Sequence, residues 1–250
     1  MSDQEPNSQD TPRPLAVLLT GPSGRIGPSI VADFETRYDL RTFDFKPSSR
    51  PNSFVGDLSS LESLREAMKG VEVVVHLAAT SDEAPFIEEL VPNNVIGFYN
   101  VMEAARLEGV RRVVFASSVQ AIGLALRDAP GPVETNETRP NSLYGATKVL
   151  GEVVGRWYHD RHELEFVALR LGWVVSEEEA RKQHGSLLNI WLSLRDLVSL
   201  VRCAVEVPDV GFAIVNGTSK PPKTTLSLQS ARDVLGYEPQ DDSSSWASGD

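Results

Sequence analysis

Residues Leu15 to Gly27 read LAVLLTGPSGRIG, and the fold follows from this stretch. Leu15 to Thr20 is an unbroken apolar and β-branched run, the mark of a short strand buried on both faces. A glycine turn follows, and then an amphipathic run to about Phe34. Gly21, Gly24 and Gly27 are spaced Gly-x-x-Gly-x-x-Gly, with Ser23, Arg25 and Ile26 between them. Glycine removes the Cβ that would hold backbone away from a pyrophosphate. The free N–H groups and dipole at a helix start favour an anion there. The plain alternative is a strand–helix turn with no ligand. Its place directly after the first strand points instead to a dinucleotide site.

Reading outward, Leu40 to Phe45 is a second strand, and Asp44 near its end lies 23 residues after Gly21 and 17 after Gly27. That matches the acid about 20 residues on that hydrogen-bonds the adenosine ribose hydroxyls. A carboxylate there repels a 2′-phosphate, so NAD is expected over NADP, with Lys46 softening the preference. Ser53 to Val55 is a short third strand. After it, Asp57 is a candidate to face the adenine amino group, or simply a loop acid beside Leu58. Ser59 and Glu62 form a capping box for the next helix, which Gly70 ends. Val71 to Leu77 is a fourth strand. The small residues Leu77-Ala78-Ala79 let backbone pass close to a cofactor, while His76 reads as a packed histidine. A helix is expected from about Pro92 to Leu107, a strand over Val113 to Ala116, a long helix over Leu143 to His162 and a strand over Glu165 to Leu171. Such alternation predicts an α/β, Rossmann-type doubly wound parallel sheet.

Residues 14–170 carry the cofactor domain with its catalytic groups. Residues 171–240 are too few for an independent domain and are expected as a small substrate-binding cap. Residues 1–13 and 241–250 are polar and read as a disordered leader and tail. The sequence has 35 acids against 24 bases, a net charge of −11, which argues against nucleic acid as a partner. No run approaches a membrane span. One cysteine, Cys203, excludes a disulfide scaffold, and four histidines without paired spacing predict no metal site. A cytoplasmic setting is expected.

Tyr144-Gly-Ala-Thr-Lys148 places a phenol and an amine at i and i+4, on one face of the long helix. A free tyrosine, with a pKa of about 10, is a poor base at neutral pH, and a nearby ammonium lowers it. Ser118, at the end of the fifth strand, supplies a hydroxyl for the reacting oxygen. Tyr-x-x-x-Lys alone occurs by chance. With the strand-five serine and first-turn glycines in this order it is specific.

From Leu15 to about Gln240 the chain resembles the extended, epimerase/dehydratase-like branch of the short-chain dehydrogenase/reductase superfamily. The resemblance implies that Ser118, Tyr144 and Lys148 are catalytic and that Asn94 supports a proton relay. It also implies a homodimer or higher homo-oligomer, in which the helices around Asn94 and Tyr144 pair through Val149, Val153, Val154 and Trp157. Segments such as VVHLAATSDEAPF and LYGATK look like uronate dehydrogenase. WYHDRHEL and VLGYEPQDD look like haloarchaeal NAD-dependent glucose-6-phosphate dehydrogenase. Both imply oxidation of a sugar, sugar acid or sugar phosphate, with Ser81, Ser118, Gln120 and Tyr144 touching substrate. The chain departs from both. They carry Asn-His where it has Val119-Gln120, and an arginine where it has Ser186. Arg181, Lys182 and His184 are the substitutes in the same loop. Otherwise the substrate is less anionic. Two readings compete with a dehydrogenase: a nucleotide-sugar epimerase, and a non-catalytic dinucleotide-binding module.

Overall fold

The computed structural model of the protein describes residues 13–135, 137–183 and 185–246. Ala16–Thr20 forms β1, and side chains alternate across it: Val17 and Leu19 pack into one apolar core, Leu18 into another. The same split recurs in β4 (Val73–His76), where Val73 and Val75 face one side and Val74 the other. A strand buried on both faces needs helices on both, and it has them.

The other strands of the sheet are β2 (Asp39–Asp44), β3 (Ser53–Val55), β5 (Arg112–Ser118), β6 (Glu165–Leu171) and β9 (Phe212–Gly217). Among the described residues these form one parallel sheet in the order β3-β2-β1-β4-β5-β6-β9. Two short strands, β7 (Trp173–Val174) and β8 (Trp191–Leu192), pair beside it. Helices α1 (Gly27–Phe34), α7 (Leu194–Glu206) and α8 (Gln229–Leu235) cover one face. Helices α2 (Leu61–Met68), α3 (Gly97–Leu107) and α5 (Leu143–His162) cover the other. Short helices α4 (Gly123–Asp128) and α6 (Glu177–Ala180) lie in connections. The chain order reverses between β1 and β4, and the crevice at their carboxyl ends is where ligands bind in such sheets.

Four expectations need correction. Ser60, not Ser59, caps α2, accepting from the Ser63 backbone N–H at 3.2 Å. The helix expected from Pro92 begins at Phe86, as a wide-turn π stretch, Phe86–Ile96, that runs into α3. The Gly97 N–H bonds to the Pro92 carbonyl five residues back. Residues 171–240 are not only a cap, because β9 joins the main sheet and α7 and α8 pack on its face. The division at 170 is therefore no boundary in the core.

The fourth correction concerns the tail. Residues 1–12 and 247–250, read as parts of a disordered leader and tail, lie outside the described residues. Asp241 to Trp246, expected to be disordered, are packed. The buried Asp196 carboxylate accepts from the Gln240 and Asp241 N–H groups, at 2.8 and 3.0 Å. Ser243 is fully buried and donates to the Lys220 carbonyl. The Trp246 ring lies 4.7 Å from Trp191, and the Arg181 guanidinium sits 4.2 Å above it.

Candidate active site

Gly21 leaves β1 at φ +73°, and a Cβ there would stand 2.8 Å from the Ala78 backbone. The two sheet exits therefore meet at a contact that only glycine allows. One cavity opens from this floor. It is lined by Gly21, Ser23, Gly24, Asp44, Lys46, Asp57, Leu58, Leu77, Ala78 and Ala79, among others. Gly27 is not in its wall. It is the buried first residue of α1, where a Cβ would strike the Pro22 carbonyl at 2.4 Å. Arg25 and Ile26 face the adjoining cavity instead.

Asp44 and Asp57 both line the first cavity. The Asp44 carboxylate accepts from the Ser23 and Lys46 backbone N–H groups, each at 3.0 Å. These bonds lock its side chain to the glycine turn. Asp57 accepts from the Ser59 N–H at 2.7 Å, and that bond holds its carboxyl below the usual range. The Lys46 ammonium lies over the Phe45 ring, 5.5 Å from its centroid. His76 is buried, with Thr20 Oγ1 at 2.8 Å from its Nδ1, and burial drives its pKa down to about 3. It is a packed neutral histidine, as expected.

The second cavity shares Gly21, Gly24, Leu77 and Ala79 with the first and holds Ser81, Ser118, Gln120, Tyr144 and Lys148. The placement of Tyr144 follows from two local features. Ser142 caps α5, accepting from the Gly145 N–H at 2.9 Å and donating to Gln120 Oε1 at 2.6 Å. At Gly145 a Cβ would meet the Gln120 carbonyl at 2.4 Å, so the helix start can press against the short turn that follows β5. The Ser118 hydroxyl accepts from the Gln120 N–H at 3.1 Å.

The expected lowering of the Tyr144 phenol by Lys148 is not what the site shows. Burial pushes the phenol up, and the Asp82 carboxylate adds to that. Ser118 and Arg25 pull the other way. The Lys148 ammonium lies over the rings, 4.9 Å from the Phe115 centroid and 5.4 Å from that of Tyr144. The i, i+4 spacing delivers it to the ring face. Burial drives Lys148 itself down to about 8, with Glu152 opposing.

Asn94, expected to support a proton relay, sits between the β4 exit and α5. Its Oδ1 accepts from the Thr80 N–H at 2.8 Å. Its Nδ2 donates to the Thr80 carbonyl at 2.9 Å and to Thr147 Oγ1 at 3.2 Å. Its amide is thus spent tying the β4 exit to α5, and it lines neither cavity. Asn93, beside it, lines the first.

Nor does the loop after β7 supply the substitute cation. Arg181 pairs with Glu177 and Lys182 with Glu178, each at i, i+4, and neither lines a cavity. Ser186 is exposed, and His184 lies outside the described residues.

Sequence reasoning missed several groups in the wall of the second cavity: Asp82, Asn141, Trp173, Leu187 and Ile190. They come from four separate stretches of the chain, so no spacing announces them. Asp82 has φ +62° and stands between Arg25, at 3.9 Å, and the Gln120 amide, at 3.4 Å.

Behind the cavity, Arg170 and Glu152 form a buried two-point ion pair at 2.8 and 2.7 Å. Ser117 donates to the same carboxylate at 2.6 Å. The third guanidinium nitrogen reaches the Thr135 and Glu137 carbonyls, both at 3.1 Å.

The model of the NAD dependent epimerase/dehydratase family matches residues 17–209. The chain belongs to this family. It is 36% identical over 248 residues to the NAD-dependent glucose-6-phosphate dehydrogenase of Haloferax volcanii, covering 91% of this chain and 94% of that one. It is 32% identical to an L-arabinose 1-dehydrogenase (NAD(P)(+)) of the same organism, covering 91% and 97%. A mutant uronate dehydrogenase from Agrobacterium tumefaciens, solved as a complex with NAD, superposes with a TM-score of 0.81 at 30% identity, covering 93% and 87%. The cradle in this family member fits NAD. Gly21 and Ala78 floor it, and the Asp44 carboxylate is fixed by two backbone donors with lone pairs left for ribose hydroxyls. Gly21→Ala is expected to weaken NAD binding at least about tenfold by calorimetry, because the strained backbone and the clash with Ala78 both widen the floor. Unchanged affinity would show that the floor is not used.

Proposed function

We propose that this chain is an NAD-dependent dehydrogenase that oxidises a hydroxyl, at the anomeric carbon, of a sugar, sugar acid or sugar phosphate. The observation that carries the reading is the meeting of Ser118, Tyr144 and Lys148 in a cavity continuous with the glycine-floored one. When bound, NAD supplies the hydride acceptor and, in its oxidised form, a positive charge. The Tyr144 phenol oxygen takes the substrate proton, and Ser118 Oγ holds the reacting oxygen. Burial and the Asp82 carboxylate oppose the ionised phenol that this step needs, while the Ser118 hydroxyl and Arg25 favour it. Arg25 and Lys148 are the cations lining this cavity among the described residues. Asn94 acts through Thr80 and Thr147 by fixing the β4 exit against α5.

The test is NADH formation, read by absorbance, with NAD and a panel of uronic acids, aldoses and sugar phosphates at low and high salt. A rise with any class supports the reading. No rise, with NAD bound, favours an epimerase, which returns its hydride and leaves no net NADH. The intact triad speaks against a module that only binds the dinucleotide.

The same reading includes a homodimer. Ile96 and Tyr99 are 48% and 52% exposed, and on α5 Leu150, Val153 and Trp157 are 40%, 62% and 56% exposed. That is an apolar face on two adjacent helices. Val154 is not part of it, because it packs inward on the core. Val153→Arg with Trp157→Arg is expected to give a monomer by light scattering, where the unaltered protein gives a dimer. A protein already monomeric would refute the assignment. No helix among the described residues is long and apolar enough to cross a membrane.

A further inference from the structure

The second cavity has a charge and surface pattern that names a substrate class. Apart from the triad, its polar side chains include Asp82, Gln120 and Asn141, and its apolar wall includes Trp173, Leu187 and Ile190. Carboxylates and carboxamides match pairs of sugar hydroxyls, which both donate and accept. A broad aromatic surface suits the C–H face of a pyranose, and a mostly apolar wall with a few placed polar groups is the usual form of a small-molecule site.

What the wall lacks among its described residues is a cation for an anionic substituent. Lys148 is buried under the Tyr144 ring. Arg25 belongs to the cofactor turn and already faces Asp82 at 3.9 Å. Arg181 and Lys182 are paired elsewhere. Asp82 itself is held in a left-handed backbone conformation at the cavity edge, with the Gln120 amide beside it. Strain of this kind persists where surrounding structure enforces it, often at ligand sites. Its carboxylate lies 3.9 Å from Arg25 and offsets that cation, so the pair presents no net positive charge to a carboxylate or phosphate entering beside Tyr144.

We propose that this cavity takes an uncharged monosaccharide, held by Asp82, Gln120, Asn141 and Trp173, and discriminates against uronates and sugar phosphates. The proposal rests on the dehydrogenase reading above and narrows it to neutral aldoses.

Two measurements test it. The first compares kcat/KM for glucose, galactose, xylose and arabinose with that for glucuronate, galacturonate and glucose 6-phosphate. Neutral sugars are expected to lead by at least about tenfold, which corresponds to roughly 1.4 kcal/mol. Asp82→Asn is expected to narrow that gap by raising the anionic sugars and lowering the neutral ones, with NAD affinity unchanged. The second measurement titrates the same sugars into NAD-loaded protein and follows heat and tryptophan fluorescence. A uronate or phosphate preferred by the unaltered protein in either measurement overturns the proposal. So does a gap that Asp82→Asn leaves untouched. If no sugar yields NADH while neutral sugars bind and anionic ones do not, the dehydrogenase reading fails and the pocket assignment stands. If neutral sugars neither react nor bind, the pocket assignment fails.

Discussion

Tyr144→Phe is expected to lower kcat by roughly 10²- to 10⁴-fold, the range of a lost positioned proton acceptor, while NAD binds as before. The change removes one oxygen and little else. The ring that carries the Lys148 ammonium on its face remains, and the Ser142 cap and the Gly145 contact with Gln120 are untouched. Steady-state rates and calorimetry with NAD read the two effects separately. Persistent activity would remove Tyr144 from the chemistry. Lost activity together with lost NAD binding would mean that the substitution damaged the site as a whole.

Arg170→Met carries the largest expected effect on stability. The Glu152 carboxylate, 3% exposed, would be left buried and unpaired, which costs about 3–5 kcal/mol. For a chain of this size that corresponds to a fall in Tm on the order of 10 °C. The Thr135 and Glu137 carbonyls would lose their donor as well. The double variant Glu152→Leu with Arg170→Met is expected to recover most of the loss, because the desolvation of both charges disappears with them. Thermal melts of the two variants decide it. Equal melting of the single and double variants would show that the loop contacts, and not the ion pair, carry the effect.

The sheet was legible because burial on both faces leaves a plain mark. LAVLLT is apolar up to its closing threonine and VEVVVHL is apolar apart from Glu72 and His76, and the greater part of each became a strand. Helix α5 runs Leu143–His162, the bounds expected from the sequence. The cofactor cradle was legible for a related reason. Its glycines and Asp44 sit in one strand–turn–helix–strand unit, so local spacing encodes the geometry. The wall of the second cavity was not. Asp82, Asn141 and Trp173 come from separate stretches of the chain, and only the packed sheet brings them together. Pro92 suggests a helix start in the sequence because proline favours the first helical position. Here the wide-turn stretch carries the helix through it. Residues 241–246 looked disordered by composition, yet Trp246 has its partner in Trp191, which no local pattern reveals. The spacing of Tyr144 and Lys148 fixes their proximity, while the amine's place over the ring needs coordinates.

The sheet ends at one side in β3, a strand of three residues, Ser53–Val55, that follows Pro51 and Asn52. At the opposite side β9 is overlaid by the connection around Ser227, whose carbonyl accepts from the Asn216 amide at 3.0 Å. The β3 border is too short to offer the long row of open backbone donors and acceptors that lets sheets zip together between molecules. Fibrillar growth by strand addition is thereby blunted. Concentrated solutions of this protein should accordingly remain clear of ordered aggregates, with self-association confined to contacts between side chains.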